Sequence, residues 1–151
     1  MDTTSMGLVY ADIELVSGDD LVLSRRGYLP EDQIKQLYTR SLVDSGATML
    51  AIPEFVKTQL DLRRIDEIEA ELADGSSRKL EVVGPVEVRF ENRRTLVEAL
   101  VVPDRTQVLL GAIPMEGMDV LVDPKQRRLI VNPESPEVAK VLLMRLFLTV
   151  W

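Results

Sequence analysis

Hydrophobic and polar residues alternate with a period of two along much of the chain. Residues 67–72 run Glu-Ile-Glu-Ala-Glu-Leu, and residues 86–90 run Val-Glu-Val-Arg-Phe. This alternation predicts β-strands with one buried face and one face in water. Residues 96–102 are more continuously apolar and predict an inner strand. Residues 7–16 and 21–24 flank the run Ser17-Gly18-Asp19-Asp20, which predicts a hairpin turn between two strands.

Helical signals are few and short. Pro53 and Glu54 are typical of a helix start, because Pro suits the first helical position and Glu favours the positive N-terminal end. Residues 30–38 and 113–118 could each hold a turn or two. Several short strands with so few helical turns predict an all-β protein, folded as one small closed β-barrel with one or two short helices.

The chain from Glu137 onward differs from the rest, because it is strongly apolar and follows the polar run 133–136. Residues 138–146 could form one helical face, and residues 146–151 could equally add a strand. Such a segment would be an exposed apolar patch if it were left alone in water. We therefore expect residues 1–136 to form a single domain, and residues 137–151 to form a tail that packs on that domain or on a second copy.

Length and charge limit the function. The chain has 151 residues, which is the size of one domain. It carries 18 Lys and Arg against 25 Asp and Glu, a formal net charge of −7. An acidic chain has no general attraction for nucleic acids or anionic membranes, so neither is an expected partner.

Two residue types are missing from the sequence. It contains no Cys, which excludes disulfides, thiolate nucleophiles and iron–sulfur clusters. It contains no His, which excludes Ser-His-Asp triads and most zinc and haem sites. If the protein is an enzyme, its acid–base groups must be carboxylates, Lys or Tyr, and we expect no metal or other cofactor.

The sequence shows no targeting or membrane-spanning segment. Residues 1–6 are polar and lack an apolar signal core. The longest apolar stretch, residues 141–151, is too short to cross a bilayer as a helix. We expect a cytoplasmic protein without a membrane span.

One segment carries candidate chemistry, residues 42–48, which run Leu-Val-Asp-Ser-Gly-Ala-Thr. Two apolar residues bring a strand inward, and Asp44 stands at its end. Gly46 lets the backbone turn tightly and lets amide hydrogens approach a carboxylate. Asp-Ser-Gly is also a common turn, so the argument needs support from elsewhere. Residues 72–76 are typical of a hairpin tip, and residues 108–111, Val-Leu-Leu-Gly, predict an apolar strand that ends before a short helix.

These three features, in this order, resemble the retropepsin-type aspartic proteases, the single-domain relatives of the retroviral proteases. The resemblance covers about residues 8–132 and excludes residues 25–38 and the tail. It implies a retropepsin-type barrel in which Asp44 is the catalytic aspartate of an active-site loop. The other members of that loop would be Ser45, which bonds to the partner's loop, Gly46, which contacts substrate or carboxylate, Ala47 and Thr48.

The resemblance also assigns roles outside this loop. A flap would cover the bound peptide, and its tip would be formed by Ala73, Asp74, Gly75 and Ser76. Leu110 and Gly111 would brace the active-site loop from below. The chain has one Asp-Ser-Gly motif, whereas the family's mechanism needs two carboxylates, so the resemblance implies a homodimer with one Asp44 from each copy. The two carboxylates would share a proton and activate a water that attacks the peptide bond.

The sequence departs from the retroviral pattern at two positions. Retroviral members usually carry an acid after Gly-Ala and an Arg after the apolar-apolar-Gly run, and the two pair. Here those positions hold Thr48 and Ala112, so both partners are missing together and no unpaired charge remains. The sequence is therefore more similar to a bacterial-type branch, and the bracing of its loop stays open.

Other sites are less well supported. Ser45 as a nucleophile lacks a His and a Ser-x-x-Lys spacing. The aspartates at 19, 20, 119 and 123 are more simply turns or strand edges than metal ligands. The paired arginines are scattered along an acidic chain and are typical of a solvated surface. Two functions remain: a homodimeric aspartic endopeptidase acting on peptides or proteins, and a weakly active or inactive retropepsin-like module that binds peptides or dimerises.

Overall fold

The structure is a computed structural model, and it describes residues 7–143. Within these residues the chain forms nine strands, three short α-helices and one 3₁₀ turn at Glu31–Gln33. The strands are β1 (Val9–Ser17), β2 (Gln36–Val43), β3 (Leu50–Ile52), β4 (Arg63–Glu71), β5 (Ser77–Phe90), β6 (Arg93–Val101), β7 (Val108–Leu110), β8 (Val120–Asp123) and β9 (Arg128–Val131). The helices are α1 (Gly18–Arg25), α2 (Glu54–Gln59) and α3 (Ala112–Met118).

Six strands close into a barrel in the order β5-β6-β3-β7-β2-β1, and β1 then pairs back with β5. The closing pairs run from Glu14 opposite Arg89 to Ser17 opposite Val86. Strand β4 lies outside β5 as the second arm of a long hairpin, and β9 and β8 extend the sheet beyond β1. The predicted all-β fold with a small closed barrel is confirmed.

Strand β5 belongs to both the hairpin and the barrel. Its first half pairs with β4 from Ser77 to Gly84, and its second half, residues 86–89, pairs with β1. The register against β6 shifts between Val83 and Val86, where Gly84 adopts a positive φ of 147°. The shift lies between the segment of β5 that pairs with β4 and the segment that pairs with β1, while β6 pairs with residues on both sides of it.

The barrel core follows from the period-two pattern. Most of the fully buried side chains come from alternate strand positions, from α2 and the residue after it, and from α3: Leu15, Leu50, Ile52, Val56, Leu60, Val83, Val86, Val88, Val108, Leu110 and Met118. Val16, next to Leu15, is fully buried as well. The predicted wet face of β5 is wrong at Glu87, which is buried although it alternates with the core residues Val86 and Val88. Its carboxylate is neutralised by Arg89 Nε at 2.6 Å and Arg94 Nη1 at 3.0 Å.

The predicted hairpin at Ser17-Gly18-Asp19-Asp20 is also wrong, because these residues begin helix α1. Ser17 caps the helix by accepting a hydrogen bond from the Asp20 amide at 3.2 Å, and the acidic first turn faces the positive helix end. The Asp20 carboxylate also accepts a hydrogen bond from the Lys35 amide at 2.9 Å, which ties α1 to the segment entering β2. Residues 21–24, predicted as a strand, lie within this helix.

The remaining local predictions concern the short helices, residues 30–38 and strand β6. α-Helices form at two of the three predicted places, residues 54–59 and 112–118. Residues 30–38 contain a single 3₁₀ turn and then the start of β2. Strand β6 lies between β5 and β3, as expected of an inner strand, but it is not continuously buried, since Leu96 is 57% exposed.

The segment after β9 is fastened to the barrel by polar groups. Asp119 accepts hydrogen bonds from Asn132 Nδ2 at 3.0 Å, Ser135 Oγ at 2.5 Å and the Lys140 amide at 2.9 Å. Buried Arg93 donates to the Ser135 carbonyl. The described part of the predicted tail, residues 137–143, is neither helix nor strand, and its apolar side chains are exposed. The rest of the tail lies outside the described residues.

Candidate active site

Asp44 stands at the end of strand β2, in the loop that joins β2 to β3. Its amide donates to the Leu110 carbonyl at 3.0 Å, and its carbonyl accepts from the Ala47 amide at 3.1 Å. Its side-chain Oδ1 accepts a hydrogen bond from the Gly46 amide at 2.9 Å. The carboxylate is exposed in the single chain, so a fixed acidic group faces outward at the mouth of the barrel.

Gly46 and Ser45 complete the tip of this loop, and both are exposed. A Cβ at position 46 would lie 3.1 Å from Asp44 Oδ1. The glycine therefore leaves space for its amide to approach the carboxylate closely.

Leu110 and Gly111 lie directly against the Asp44 loop. Strand β7 runs parallel to β2, with Val43 opposite Leu110, so the carbonyl of Leu110 reaches the Asp44 amide. A Cβ at Gly111 would lie 2.8 Å from the Ala47 carbonyl oxygen and closer still to that of Met49. A side chain at position 111 is therefore incompatible with this loop conformation.

Thr48 and Ala112, where the retroviral pattern has a charged pair, are linked into the brace through main-chain groups. The Ala112 amide donates to the Ala47 carbonyl at 2.7 Å, and the Ile113 amide donates to the Thr48 carbonyl at 2.9 Å. The first turn of α3 thus holds the loop by two main-chain hydrogen bonds. This arrangement answers how the loop can be braced without a charged pair.

The predicted flap is the β4–β5 hairpin, and residues 72–76 form its tip. Gly75 adopts a positive φ of 85°, and its amide donates to the Leu72 carbonyl at 2.9 Å. Asp74 Oδ1 accepts from both the amide and the hydroxyl of Ser76, at 2.9 and 2.5 Å. The Ser76 hydroxyl, followed by its amide, lowers the pKa of Asp74 below its usual range. Ala73, like the rest of the tip, is exposed.

A cleft of about 660 Å³ lies between the Asp44 loop and the flap. Gly46, Ala47 and Thr48 border it on one side, and the β4 arm of the flap covers it on the other. Its walls are mostly apolar, with side chains contributed by Met49, Ala51, Ile68, Ala70, Leu72, Leu80, Leu100, Val102 and Leu109. A volume of this size accommodates several side chains of an extended peptide.

The candidate metal ligands do not converge. Across residues 7–143, no group of three or more Asp or Glu side chains is placed to hold a metal ion. Asp20 and Asp119 instead accept hydrogen bonds within the fold. No helix in the described part of the chain is long and apolar enough to cross a membrane.

A family model described as aspartyl protease matches residues 33–112, more than half of the chain. The chain belongs to the aspartyl protease family. The matched range contains the Asp44 loop, the flap and the Leu110–Gly111 brace. No curated protein sequence matches this member of the family.

A solved structure supports the same fold. The crystal structure of the retroviral protease-like domain of Ddi1 from Leishmania major matches with a TM-score of 0.52, over 83% of this chain and 89% of that chain. The sequence identity is 15%, so the likeness concerns the fold alone. This aspartyl protease family member thus has the retropepsin-like barrel that its sequence resembles.

Sequence reasoning missed the charged side chains in the cleft wall, namely Arg78, Asp104 and Arg105. Arg78 lies opposite Ala70 on the hairpin, and the two others lie in the loop between β6 and β7. The alternation of β4 and β5 could have placed Arg78 on the inner face of the flap. Nothing in the local sequence indicates that residues 104 and 105 meet it.

Proposed function

We propose that this protein is an aspartic endopeptidase that hydrolyses peptide bonds as a homodimer. The observation that carries the proposal is the position of Asp44. Its carboxylate is fixed by the Gly46 amide at the end of a barrel strand, beside an apolar cleft that a hairpin covers. An extended peptide in that cleft would pass directly over the Asp44 loop.

The homodimer follows from the number of carboxylates that the chemistry needs. The chain contributes one Asp-Ser-Gly motif, and its aspartate is exposed in the single chain. A two-fold axis beside the loop would bring Asp44 of each copy together. The exposed Ser45 hydroxyl is then available to bond to the partner's loop.

Two carboxylates in close contact cannot both ionise, so the pair holds one proton. The ionised Asp44 takes a proton from a water held between the two copies. The water oxygen attacks the peptide carbonyl carbon, while the protonated Asp44 gives its proton to the carbonyl oxygen. The resulting tetrahedral diol collapses as the C–N bond breaks. The amine nitrogen takes the proton that the attacking water gave to one Asp44, and a diol hydroxyl gives its proton to the other Asp44. The pair is then singly protonated again.

The surrounding residues support this reaction by position. The Asp44 loop is held in position by Leu110, Gly111 and the first turn of α3. The flap tip at residues 73–76 covers the peptide and excludes bulk water, which strengthens the electrostatic interactions at the reacting atoms.

The competing function is a retropepsin-like module that binds peptides or dimerises without substantial turnover. The same cleft and flap would serve it, so the two functions differ in whether Asp44 performs chemistry. The test is cleavage of a diverse peptide library by the purified protein between about pH 4 and 7, where a shared-proton pair acts. Sedimentation of the same sample reports its oligomeric state.

Asp44→Asn is the decisive variant, because it keeps the shape of the side chain and removes the acid. Asp32→Asn, at an exposed position outside the cleft, is the matched control. The endopeptidase predicts cleavage that is lost in Asp44→Asn and kept in Asp32→Asn, with the fold of both unchanged. A dimeric sample that binds peptides without cleaving them would establish the binding module instead.

A further inference from the structure

Besides Glu69 and Glu71, three charged side chains border the cleft: Arg78, Asp104 and Arg105. Arg78 and Asp104 form an ion pair. Arg78 projects from the inner face of the flap, and its Nη1 lies 2.9 Å from Oδ1 of Asp104. The hydrogen bond from Arg78 lowers the pKa of Asp104 below its usual range, so the pair is a charged one at neutral pH. The two groups are thus already paired with each other in the single chain.

Arg105 is different. It borders the same cleft and is half-buried, and its Nε is buried without a hydrogen-bond partner. Within residues 7–143 no carboxylate lies within 4.0 Å of its guanidinium. Its main-chain amide donates to the Val102 carbonyl at 3.1 Å, which closes a turn at this part of the cleft wall.

The acidic residues nearby do not compensate this charge. Glu69 and Glu71 also border the cleft, but both are exposed. They occupy the strand positions that alternate with Ile68 and Ala70, whose side chains are half-buried on the inner face. The glutamates therefore face solvent. Arg105 forms no ion pair within residues 7–143, although its charge adds to that of Arg78 in lowering the pKa of Asp104.

We infer that Arg105 is a specificity-determining residue, which receives the carboxylate of a substrate Asp or Glu side chain in this cleft. The inference rests on the proposed function, because it names the substrates of the same site. The two terminal Nη groups of a guanidinium lie side by side, and their N–H donors match the two oxygens of a carboxylate. The preferred substrate is then an extended peptide that is mostly apolar around the cut, with one acidic residue whose side chain reaches Arg105.

The test uses sets of three peptides that are identical except for Glu, Gln or Lys at one position near the cut, scanned across that region. The assay runs near pH 6, where a glutamate is ionised. At the position that reaches Arg105, we expect kcat/KM for the Glu peptide to exceed that for the Gln peptide by at least about tenfold, since the hydrogen bonds are charge-assisted. At the other positions we expect no such preference.

Three variants separate this role from a structural one. Arg105→Gln should abolish the Glu-over-Gln preference, and Arg105→Glu should reverse it in favour of Lys. Arg26→Gln, at an exposed site on α1, should keep the preference of the unchanged protein. Because the Arg105 side chain makes no hydrogen bond within the described residues, both Arg105 variants should fold, which circular dichroism checks.

The outcomes distinguish the two proposals. Cleavage that depends on Asp44 but shows no acidic preference, or a preference unchanged in Arg105→Gln, overturns the role of Arg105 and leaves the endopeptidase standing. Absence of any cleavage by a dimeric sample overturns the endopeptidase. In that case the affinities of Asp44→Asn protein for the Glu and Gln peptides, with and without Arg105→Gln, decide the role of Arg105 by the same ratio.

Discussion

The α-carbon of Gly111 sits against the carbonyl of Met49, so closely that a Cβ at position 111 would lie 2.3 Å from the Met49 oxygen. This is a contact between two main chains, and neither can move without shifting the Asp44 loop or strand β7. The glycine is therefore required by the space beside it, since its φ of −93° is open to any residue.

Gly111→Ala should lower the free energy of unfolding by about 1–3 kcal/mol and reduce peptidase activity more than its stability loss explains. The reason is that the added methyl displaces the loop that positions Asp44. Chemical denaturation and kcat measure the two effects. Gly27→Ala is the control, because its site has open space and a positive φ, so we expect a cost of about 1 kcal/mol and unchanged kcat. Equal effects on kcat would contradict the prediction.

The flap tip should respond to loss of the Asp74–Ser76 contacts. Asp74→Ala removes the acceptor of both Ser76 bonds, and Ser76→Ala removes the hydroxyl donor alone. We expect KM to rise by roughly twofold to tenfold in Asp74→Ala and by less in Ser76→Ala, with kcat changed less than KM in both. Steady-state kinetics on one peptide checks the order. An unchanged KM in both variants would show that the tip does not act in covering the substrate.

The segment after β9 should loosen in acid through Asp119. Hydrogen bonds from the Ser135 hydroxyl, from Asn132 and from the Lys140 amide lower the pKa of Asp119 from 3.8 to about 2. Because the folded pKa lies below the unfolded one, the carboxylate contributes stability above about pH 4, and this contribution is lost as the pH falls through about 2.

Asp119→Asn tests this assignment, because Asn fits the left-handed conformation at position 119 and removes the charge. We expect it to lower the unfolding temperature at pH 6, by a difference that shrinks between about pH 4 and pH 2. Glu116→Gln, at a neighbouring exposed position, should show no such difference. A gap between Asp119→Asn and the unchanged protein that stays constant down to pH 2 would rule the carboxylate out.

The tail should bury its apolar side chains against a second copy. Val138, Val141, Leu142 and Leu143 are all at least 68% exposed on the single chain, although the Lys140 amide is held by Asp119. A chain ending at residue 140 keeps that anchor and loses the residues beyond it. We expect it to form a smaller oligomer than the full chain at equal concentration, measured by sedimentation. Unchanged oligomer size, solubility and stability of the shortened chain would contradict the prediction.

The barrel could be predicted because its information is local. Alternation in residues 67–72 and 86–90 fixes which face of each strand is buried, and the Asp-Ser-Gly and Leu-Leu-Gly runs are close to the chemistry they serve. The loop brace was foreseen in outline for Leu110 and Gly111. Its two hydrogen bonds from the start of α3 were not, because main-chain contacts leave no residue signature.

The failures have physical reasons too. The run Ser-Gly-Asp-Asp is compatible with a hairpin turn and with a helix N-terminus. In the structure Ser17 accepts the capping hydrogen bond of the helix, and Asp20 accepts one from Lys35. Lys35 is fifteen residues away, so the local sequence does not reveal this contact. Glu87 looked like a surface residue because it alternates with apolar positions, and because its partner Arg94, seven residues further along, reaches it only when β5 pairs with β6. The Arg78–Asp104 pair joins residues 26 apart, so no local pattern reveals it.

The register shift in strand β5 at residues 84–85 has a consequence for how such a protein can evolve. Every pair that closes the barrel lies on the far side of the register shift, between residues 14–17 and 86–89. The hairpin arms at 67–71 and 77–81 pair with each other ahead of the first β5–β6 pair at Val82. Paired insertions or deletions in those arms can therefore lengthen or shorten the cover over the cleft while the barrel stays closed. The enclosure of the substrate can be remodelled separately from the scaffold that holds Asp44.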